Sequence, residues 1–542
     1  MNVIYLLLRS SWSIVAIAVL TGAVSGASSA RLIALINDAV NRNQPSATTL
    51  LGSFAGLVLV VVVTGIISQV SLIHLSQGAI FELQIRLSRK ILSSSLRHLE
   101  ELGAPRLLAA LTDDIQSVSG AIFVIPFLCI DIAIVIGCLI YLSWLSWPVF
   151  LVMLAFLVVA VLSAQFLISK GDRFIALGRE QQDRLFKHFR AITEGIKELK
   201  LHQKRRQAFL SQELQSTAAA RRRYRAAGLN IFAIATNWGQ FLFFFTIGLL
   251  LFGLPQLTAI NTSILSGYIL TMTYLMLPLR SILEMLPNLS TASVALNKIE
   301  ALGLSLASQS EESSTVHHDL TFSWKLLELV KVTHSYRGEK EEQNFILGPI
   351  DLTFYPGELV FIVGGNGSGK STLAKLITGL YLPEFGEVKL GNQPINQQNI
   401  EWYRQQFSVL FSDFYLFDSL LGLETTNLDT KIEKYLIQLQ LDHKVQVDNG
   451  VLSTTALSQG QRKRLALLTA YLENRPIYLF DEWASDQDPV FKEIFYTQLL
   501  PELKNRGKTV LAISHDDRYF HIADRIIKLD YGQVEYDKQL HN

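Results

Sequence analysis

The chain has 542 residues, of which 49% are hydrophobic and 18% are charged, and its formal net charge is +1. This composition is too apolar for an ordinary soluble protein of that length, so a purely soluble enzyme or binding domain is excluded. The near-zero net charge indicates no particular partner.

Charged residues are unevenly distributed along the first half of the chain. Four windows contain no Asp, Glu, Lys or Arg: 10–30, 43–81, 132–169 and 226–279. A helix needs about 20 apolar residues to cross the hydrocarbon core of a bilayer. Divided at their turn signals, the windows predict six membrane-spanning helices, at about 12–36, 50–76, 118–142, 146–169, 228–253 and 262–285.

The first span also has features of a cleavable signal peptide. Arg9 precedes an apolar stretch, and Ala27–Ala30 is a run of small residues of the kind found at cleavage sites. The apolar stretch is long for a signal core. We therefore expect the span to be retained, and the protein to cross the membrane several times.

Basic residues determine the expected orientation of the spans. Between Lys170 and Arg225 there are 15 Lys or Arg against 6 Asp or Glu, which predicts a cytoplasmic location for that segment and for both termini. The basic runs are expected to contact anionic lipid head groups rather than nucleic acid. Segments 82–114 and 170–225 are long and compatible with helix, so the spans should continue as helices into the cytoplasm. Without an organellar targeting signal, a bacterial inner membrane is the expected location.

The third predicted span contains one acidic residue, Asp131, which lies about 20 Å along the helix from Trp144 at the interface. A carboxylate at that depth is costly unless it faces a partner or a water-filled cavity. Two interpretations stay open. Asp131 lines a substrate cavity near His74 and favours cationic substrates, or it forms an ion pair or hydrogen bond between spans. Cys129 and Cys138 lie nine residues apart on this helix, too far for a disulfide.

A phosphate-binding loop follows a Ser-rich polar stretch at 303–323, which is the predicted linker between domains 1–302 and 324–542. Residues 364–372 read Gly-Gly-Asn-Gly-Ser-Gly-Lys-Ser-Thr and lie between an apolar strand pattern and a helical pattern. Glycines let backbone N–H groups surround phosphates, the lysine binds β/γ oxygens, and the serine after it ligates Mg²⁺. The predicted ATP-binding residues in this loop are Gly364, Asn366, Gly367, Ser368, Gly369, Lys370, Ser371 and Thr372.

Further motifs accompany the loop. Leu457-Ser-Gln-Gly-Gln461 precedes a basic helical run, and the apolar strand Ile477-Tyr-Leu-Phe ends in Asp481-Glu482. Ser485-Asp-Gln-Asp488 and Ile513-Ser-His-Asp516 come next, and Tyr336 lies upstream in Thr333-His-Ser-Tyr. In this order the motifs resemble those of an ABC-transporter ATPase. The predicted fold class is a membrane α-helical domain of six transmembrane helices with cytoplasmic helical extensions, fused to an α/β P-loop ABC ATPase domain.

The resemblance implies a role for each motif residue. Asp481 is expected to hold Mg²⁺, Glu482 to act as the general base for the attacking water, and His515 to contact the γ-phosphate. Tyr336 is expected to stack on adenine. The remaining expected ATP contacts are Ser458, Gly460, Gln461 and Asp488. In this family ATP lies between the phosphate loop of one domain and the signature of another, so a chain with one of each implies a homodimer.

The chain departs from the family pattern at two positions near these motifs. Ser412 stands where most ABC domains have the Q-loop glutamine, so either Ser412 with an extra water or the adjacent Asp413 is expected to serve the metal ion. Gln459 replaces the first glycine of the signature. The predicted metal-binding residues are therefore Ser371, Asp481, Ser412 and Asp413.

The whole layout resembles a half-size ABC exporter, and residues 102–115 resemble the exporter group for cyclic peptides, which includes pyoverdine-, syringomycin- and microcin-type exporters. Helix ends near 102–114 and 194–201 are candidates for coupling helices. The expected function is ATP-driven export of a peptide-like substrate by alternating access in a lipid bilayer. The alternatives are a lipid flippase, a multidrug exporter or a siderophore-type importer on the same fold, and a membrane-anchored ATPase that gates or signals.

Overall fold

The structure, a computed structural model, describes residues 12–41, 47–253, 256, 262–308, 324–336, 345–423 and 429–540. The chain forms two compact units, residues 1–85 with 110–300 and residues 86–109 with 301–542. Segment 86–109 therefore belongs to the unit that contains the phosphate loop. Of the predicted linker, residues 303–308 continue a helix, and 309–323 lie outside the described residues.

Long helices account for most of the first half of the chain. In chain order the helices are α1 (Trp12–Asn41), α2 (Ala47–Leu92), α3 (Leu96–Leu102), α4 (Ala104–Ala109), α5 (Ile115–Leu145), α6 (Trp147–Glu194), α7 (Ile196–Leu201), α8 (Gln203–Ala208), α9 (Gln215–Gly248) and α10 (Thr262–Ser308). Single π-helical turns continue α4, α8 and α9: Ala110–Asp114, Phe209–Leu214 and Leu249–Gly253. Both candidate coupling segments contain a break between helices, at Gly103 and Gly195.

Within the described residues, six helical stretches are long and apolar enough to cross a membrane, which confirms the predicted number of spans. They are Val19–Asn41, Leu51–Leu92, Ala104–Leu145, Trp147–Glu194, Gln203–Gly253 and Thr262–Met285. The stretch Trp147–Glu194 has 48 residues, more than twice the number that a bilayer requires. Its charged second half must extend beyond the hydrocarbon region, and this confirms the expected helical extensions.

Polar side chains fix the membrane helices α1, α5 and α10 against one another. The Tyr268 hydroxyl lies 2.7 Å from the Leu142 carbonyl and 2.8 Å from the Ser146 carbonyl, so it satisfies acceptors at the end of α5. Ser266 donates to the Asn37 side-chain oxygen at 2.7 Å. Such contacts inside an apolar environment specify which helix faces meet.

Two main sheets form the second unit. The strands are β1 (Leu327–Tyr336), β2 (Phe345–Phe354), β3 (Leu359–Gly364), β4 (Phe385–Leu390), β5 (Gln393–Pro394), β6 (Phe407–Leu410), β7 (Val447–Asp448), β8 (Val451–Leu452), β9 (Ile477–Asp481), β10 (Thr509–Ile513), β11 (Arg525–Asp530) and β12 (Gln533–Gln539). An antiparallel sheet has the order β2-β1-β4-β5, and the larger sheet has the order β12-β11-β3-β10-β9-β6. In the larger sheet only the β11-β12 pairing is antiparallel. The short strands β7 and β8 pair with each other.

Helices cover the larger sheet. They are α11 (Lys370–Ile377), α12 (Ile400–Arg404), α13 (Asp429–Gln438), α14 (Gln459–Glu473), α15 (Pro489–Ile494) and α16 (Leu500–Asn505). Along β3, Leu359 and Phe361 pack into one apolar core, whereas Val360 and Ile362 pack into the other. This alternation follows from the two-residue period of a strand, and it shows that both faces of the sheet are covered. The carboxyl ends of β3, β9 and β10 therefore form an edge at which polar residues can meet.

Candidate functional site

The phosphate loop connects the end of β3 to the start of α11. Gly364, Gly367 and Gly369 have φ angles of 150°, 78° and 101°, a region that residues with side chains rarely adopt. A Cβ atom on Gly364 would lie 2.2 Å from the Leu529 carbonyl oxygen, so a larger residue would collide with β11 as well. The local backbone therefore explains why the loop requires glycines, and it leads directly into the positive end of α11.

Lys370 folds back over the loop that precedes it. Its ammonium donates to the carbonyls of Gly364 at 3.0 Å and Gly365 at 2.9 Å, and the side chain is 5% exposed. Burial lowers the pKa of Lys370, while the nearby Glu482 and Asp481 carboxylates act in the opposite direction. The lysine is thus held at the phosphate loop before any phosphate binds.

Asp481 lies at the carboxyl end of β9, and one of its oxygens, Oδ1, is buried without a hydrogen-bond partner among the described residues. Burial raises the pKa of Asp481, the Ser371 hydroxyl that bonds to it has the opposite effect, and the charges of Glu482 and Asp413 raise it further. A carboxylate oxygen and a hydroxyl are the hard ligands that Mg²⁺ prefers. This donor set fits a Mg²⁺ ion, which Ser371 and Asp481 would hold.

Glu482 and His515 are brought together because β9 and β10 are parallel neighbours in which Ile513 pairs with Asp481. His515 Nε2 lies 3.0 Å from Glu482 Oε1. Glu482 has a φ angle of 50°, in the left-handed region, and its N–H donates to the Ile513 carbonyl at 3.2 Å. A non-glycine residue is strained there, which is common at functional sites. The partly exposed carboxylate faces the same strand edge as the phosphate loop.

The residues in place of the Q-loop glutamine follow β6. Ser412 and Asp413 form an exposed turn, and β6 pairs with β9. The charge of Asp413 acts on Asp481, as described above, so it contributes to the field at the metal position. The structure assigns no hydrogen bond between Ser412 and the other predicted site residues among those it describes.

The signature motif begins helix α14. Ser458 is the N-cap: its hydroxyl accepts the Gln461 N–H at 3.4 Å, and the Gln461 side chain accepts the Ser458 N–H at 3.3 Å. This reciprocal capping box fixes the start of the helix. Within the described chain, no hydrogen bond joins residues 457–461 to the phosphate loop 364–372.

The loop after β9 packs directly against the signature. A Cβ atom on Gly460 would lie 2.9 Å from the Asp486 carbonyl oxygen, so the signature glycine permits close packing. Asp488 caps α15 by accepting the Phe491 N–H at 2.9 Å, and it also accepts from Arg464 at 2.9 Å. Asp488 therefore has structural partners in addition to the ATP contact expected of it.

An aromatic cluster lies beside the phosphate loop at the end of β1. Tyr336 is exposed; its hydroxyl donates to the Tyr381 hydroxyl at 3.1 Å and accepts from Thr372 at 3.5 Å. Its neighbour His334 is fully buried and stacks on Tyr381, with ring centroids 4.8 Å apart. Of these two residues only Tyr336 has an exposed ring, and adenine stacking by Tyr336 stays a prediction.

Helix α3 contributes residues that the sequence motifs did not indicate. Glu100 accepts a hydrogen bond from Lys375 at 2.8 Å and another from the Tyr381 hydroxyl. Arg97 forms an ion pair with Glu384 at 2.6 Å. Through Tyr381 and Tyr336 these contacts reach the phosphate loop. Because the pairs join residues more than 270 positions apart, no local pattern in the sequence could have identified them.

The predicted cavity residues lie on membrane helices. Asp131 is half-buried on α5, with Ser281 as its hydrogen-bonding neighbour, and His74 is exposed on α2. The structure shows no hydrogen bond between Asp131 and His74 among the described residues, and both interpretations of Asp131 stay predictions. No group of three or more His, Cys, Asp or Glu that could hold a metal occurs in the described part of the chain.

Comparisons with known proteins agree with this architecture. Residues 12–279 match the family model of the ABC transporter transmembrane region, and residues 347–485 match that of the ABC transporter. ATP-binding protein SyrD of Pseudomonas syringae pv. syringae is 37% identical, with 96% of this chain and 93% of that protein covered. Nisin transport ATP-binding protein NisT of Lactococcus lactis subsp. lactis is 36% identical over 35% of this chain and 34% of that protein.

A solved structure of a bacterial Atm1-family ABC exporter with ATP bound shares the fold. The TM-score is 0.75, with 98% of this chain and 95% of that chain covered at 16% identity. Together with the six spans and the geometry of the phosphate loop, these matches identify the first half of the chain as a transporter membrane domain and the second half as its ATP-binding domain. The chain belongs to the ABC transporter family, as a half-size exporter that couples ATP hydrolysis to transport across a bacterial membrane.

Proposed function

We propose that this transporter exports a peptide-like substrate, such as a cyclic peptide, a lipopeptide or a siderophore peptide, across the inner membrane. The observation that carries the proposal is the match to SyrD, which extends over 93% of that protein and so includes the membrane domain. The relative named for nisin transport supports a peptide cargo. Residues 102–115, which resemble the cyclic-peptide exporter group, favour the same class.

The working unit is proposed to be a homodimer. Half-size ABC exporters work as dimers, and here no hydrogen bond in the described chain joins the signature to the phosphate loop. Two copies would place the signature of each chain, with Ser458, Gly460 and Gln461, against ATP on the other. ATP would then stabilise the closed pair because it binds that state better than the open one.

The hydrolytic step is assigned to the edge of the larger sheet. Lys370 would exchange its bonds to loop carbonyls for bonds to the β- and γ-phosphates, and Glu482 would accept a proton from the water that attacks the γ-phosphate. His515, at 3.0 Å from Glu482, would orient that carboxylate and contact the phosphate. Tyr336 would stack on the adenine ring.

Mg²⁺ is proposed to be held by Ser371 and Asp481, with Asp413 or Ser412 acting through water. When bound, the ion neutralises charge on the phosphate oxygens. The buried, unpartnered Oδ1 of Asp481 supports this position, because a buried carboxylate oxygen without a partner is costly. The ligands that complete the coordination would come from ATP and solvent.

The membrane cavity is proposed to include Asp131, with His74 as a second lining residue. A carboxylate inside a span is costly unless a polar partner or water reaches it. If Asp131 contacts cargo, Asp131→Asn should change the preference between cationic and neutral peptides. Unchanged selectivity would leave Asp131 as a purely interhelical contact with Ser281.

The decisive experiment is transport by the purified protein in lipid vesicles. ATP is added outside the vesicles, where it reaches the transporters whose ATPase domains face outward. These vesicles should accumulate a labelled cyclic lipopeptide, and Glu482→Gln should abolish the uptake. ATPase stimulation by a panel of cyclic peptides, lipids and drugs would identify the cargo class. Stimulation by lipids or drugs but not by peptides would overturn the peptide assignment, and ATP hydrolysis without any uptake would favour a gating ATPase.

A further inference from the structure

Lys463 is a buried lysine on the signature helix α14 that none of the expected motifs explains. Its side chain is 1% exposed, and its ammonium lies 2.7 Å from Asp486 Oδ2. The same nitrogen donates to the Glu482 carbonyl at 3.2 Å and to the Ser485 hydroxyl at 3.3 Å. A lysine ammonium has three donors, and each has an acceptor here. A buried ammonium is costly unless it is paired and hydrogen-bonded. The surroundings of Lys463 supply both the charge partner and the hydrogen-bond acceptors.

The acceptor of greatest interest is the backbone carbonyl of Glu482. Glu482 holds a left-handed backbone conformation, with φ 50° and ψ 32°. Three donors hold its carbonyl: the Lys463 ammonium, the Ser485 N–H at 3.2 Å and the Ser485 hydroxyl at 2.7 Å. A strained conformation persists only when the surrounding structure over-determines it. Lys463 is therefore one of the groups that hold the Glu482 backbone in this conformation.

Additional contacts tie the start of the signature helix to the loop 483–488. Gln459, which replaces the first signature glycine, donates to Asp486 at 3.3 Å. Gln487 donates to the Gly460 carbonyl at 3.0 Å, and the indole of Trp483 donates to the Lys463 carbonyl at 3.0 Å. The unusual Gln459 thus has a partner, and Asp486 accepts from both Gln459 and Lys463. These bonds make the two segments one polar assembly.

We propose that Lys463 is a positioning residue for the hydrolytic carboxylate, and that the Lys463–Asp486 pair makes the signature and Glu482 of one chain move together. The inference rests on the proposed function, which assigns hydrolysis to Glu482 and places the signature against ATP on a second chain. Each signature would then report occupancy of the partner's ATP site to the Glu482 of its own chain. The two sites of the dimer are linked by a salt bridge inside each subunit.

The test uses Lys463→Met in the full-length transporter in lipid vesicles. Methionine keeps most of the side-chain volume but donates no hydrogen bond, so we expect kcat for ATP hydrolysis to fall roughly ten- to hundredfold, as misplacement of a catalytic group does. ATP affinity should stay within about twofold, because the phosphate loop is untouched. Lys508→Met is the matched control: Lys508 donates to the Asn474 carbonyl at the far end of α14, at 2.9 Å, and this loss should leave kcat unchanged.

A double variant separates positioning from simple structural support. If Lys463 acts through Glu482, then Lys463→Met added to Glu482→Gln should cause little further loss of hydrolysis, because the group that it aims is already gone. An additive loss would overturn the proposal. Should Lys463→Met fail to fold, Asp486→Asn, at a partly exposed position, removes the charge partner and should reduce kcat by itself.

The outcomes also distinguish this inference from the proposed function. If Glu482→Gln alone hydrolyses ATP at the normal rate, the role assigned to Glu482 fails, and the positioning of that residue no longer bears on catalysis. If Glu482→Gln stalls hydrolysis but Lys463→Met turns over normally, the proposed function stands and the inference about Lys463 is wrong. Cooperative ATP dependence in the wild type that is lost in Asp486→Asn would support the link between sites.

Discussion

The phosphate-loop end and the signature end of the ATPase unit differ in how completely their polar groups are paired. At the phosphate loop, Asp481 Oδ1 and the Ser368 hydroxyl are buried without partners among the described residues, and Lys370 bonds only to loop carbonyls. At the signature, Ser458 and Gln461 cap each other, and Lys463 has three acceptors.

This difference indicates how the two ends are used. Buried polar atoms are normally satisfied, so those left unpaired mark the place where a ligand completes the structure. A fully paired surface is pre-organised and needs no ligand to take its shape. We therefore expect changes at the phosphate loop to alter binding of ATP and metal, and changes around the signature to alter turnover at constant affinity.

The largest effect is expected for Glu482→Gln, at the point where the two ends meet. Loss of a general base costs about 10²–10⁴-fold in rate, whereas the amide keeps the shape of the site, so ATP should still bind. Single-turnover hydrolysis and equilibrium ATP binding would be measured side by side. Exposed Glu493 provides a control, and Glu493→Gln should behave as wild type. Near-normal turnover in the Glu482 variant would contradict its role.

Asp481→Asn is expected to uncouple Mg²⁺ from ATP binding. A ligand at 100 times its Kd stabilises the folded state by about 2.7 kcal/mol. For ATP, the fraction of this stabilisation that requires Mg²⁺ should be mostly lost in the variant. The measurement is the thermal unfolding midpoint with ATP, with and without Mg²⁺. Asp530→Asn, an exposed carboxylate at the end of strand β11 in the same sheet, is the control. An undiminished Mg²⁺ effect in Asp481→Asn would place the metal elsewhere.

Glu100→Gln tests the phosphate-loop end from a third side, because Glu100 on α3 contacts Lys375 and Tyr381 there. The change removes the charge that pairs with Lys375 at 2.8 Å and weakens the acceptor for Tyr381. We expect basal ATP hydrolysis to change little, and stimulation by cargo to fall several-fold, since coupling positions typically contribute on the order of 0.5–2 kcal/mol.

The adjacent Glu101 offers a matched control on the same helix. It is 60% exposed and pairs with Arg97 and His98, its neighbours on α3. Glu101→Gln should therefore retain full stimulation. If both variants lose stimulation equally, the contacts from Glu100 to Lys375 and Tyr381 have no special part in coupling.

The sequence predicted the spans and the motif residues for different physical reasons. A membrane span requires a long run of residues without charge, which is visible in the sequence. Lys370, Asp481 and His515 belong to motifs that follow one another in an order that few other folds share. The structure then places Glu482 and His515 in contact because β9 and β10 are parallel neighbours.

Other parts of the site have no local signature. The coupling segment predicted at 102–114 stays a prediction, and the ion pairs of Arg97 with Glu384 and of Glu100 with Lys375 come from the helix just before it. The partner of Lys463 also follows only from the packing of α14 against the loop after β9. Charged residues that pair across a long stretch of sequence produce no periodic pattern in it. Their pairing can therefore be identified only from the three-dimensional structure.

The smallest expected effect concerns His334, another buried group at the phosphate-loop end. Both ring nitrogens lack a hydrogen-bond partner among the described residues. Burial lowers the pKa of His334, as do the charges of Arg97 and Lys375, whereas Glu384 and Glu100 act in the opposite direction. The folded protein thus keeps the ring neutral.

In the unfolded chain the same ring binds a proton below about pH 6.5, so unfolding takes up a proton there and stability decreases as the pH falls through that value. His334→Phe keeps the stacking on Tyr381 and removes the titrating group. The unfolding midpoint of wild type should therefore drop more between pH 7.5 and 5.5 than that of the variant, by on the order of a degree or two. His443→Phe changes an exposed ring and should leave the wild-type dependence intact. An equal drop in His334→Phe would contradict this prediction. It would mean that the protonated His334 ring finds a hydrogen-bond partner in the folded protein, so that fewer polar groups at the phosphate-loop end lack a partner.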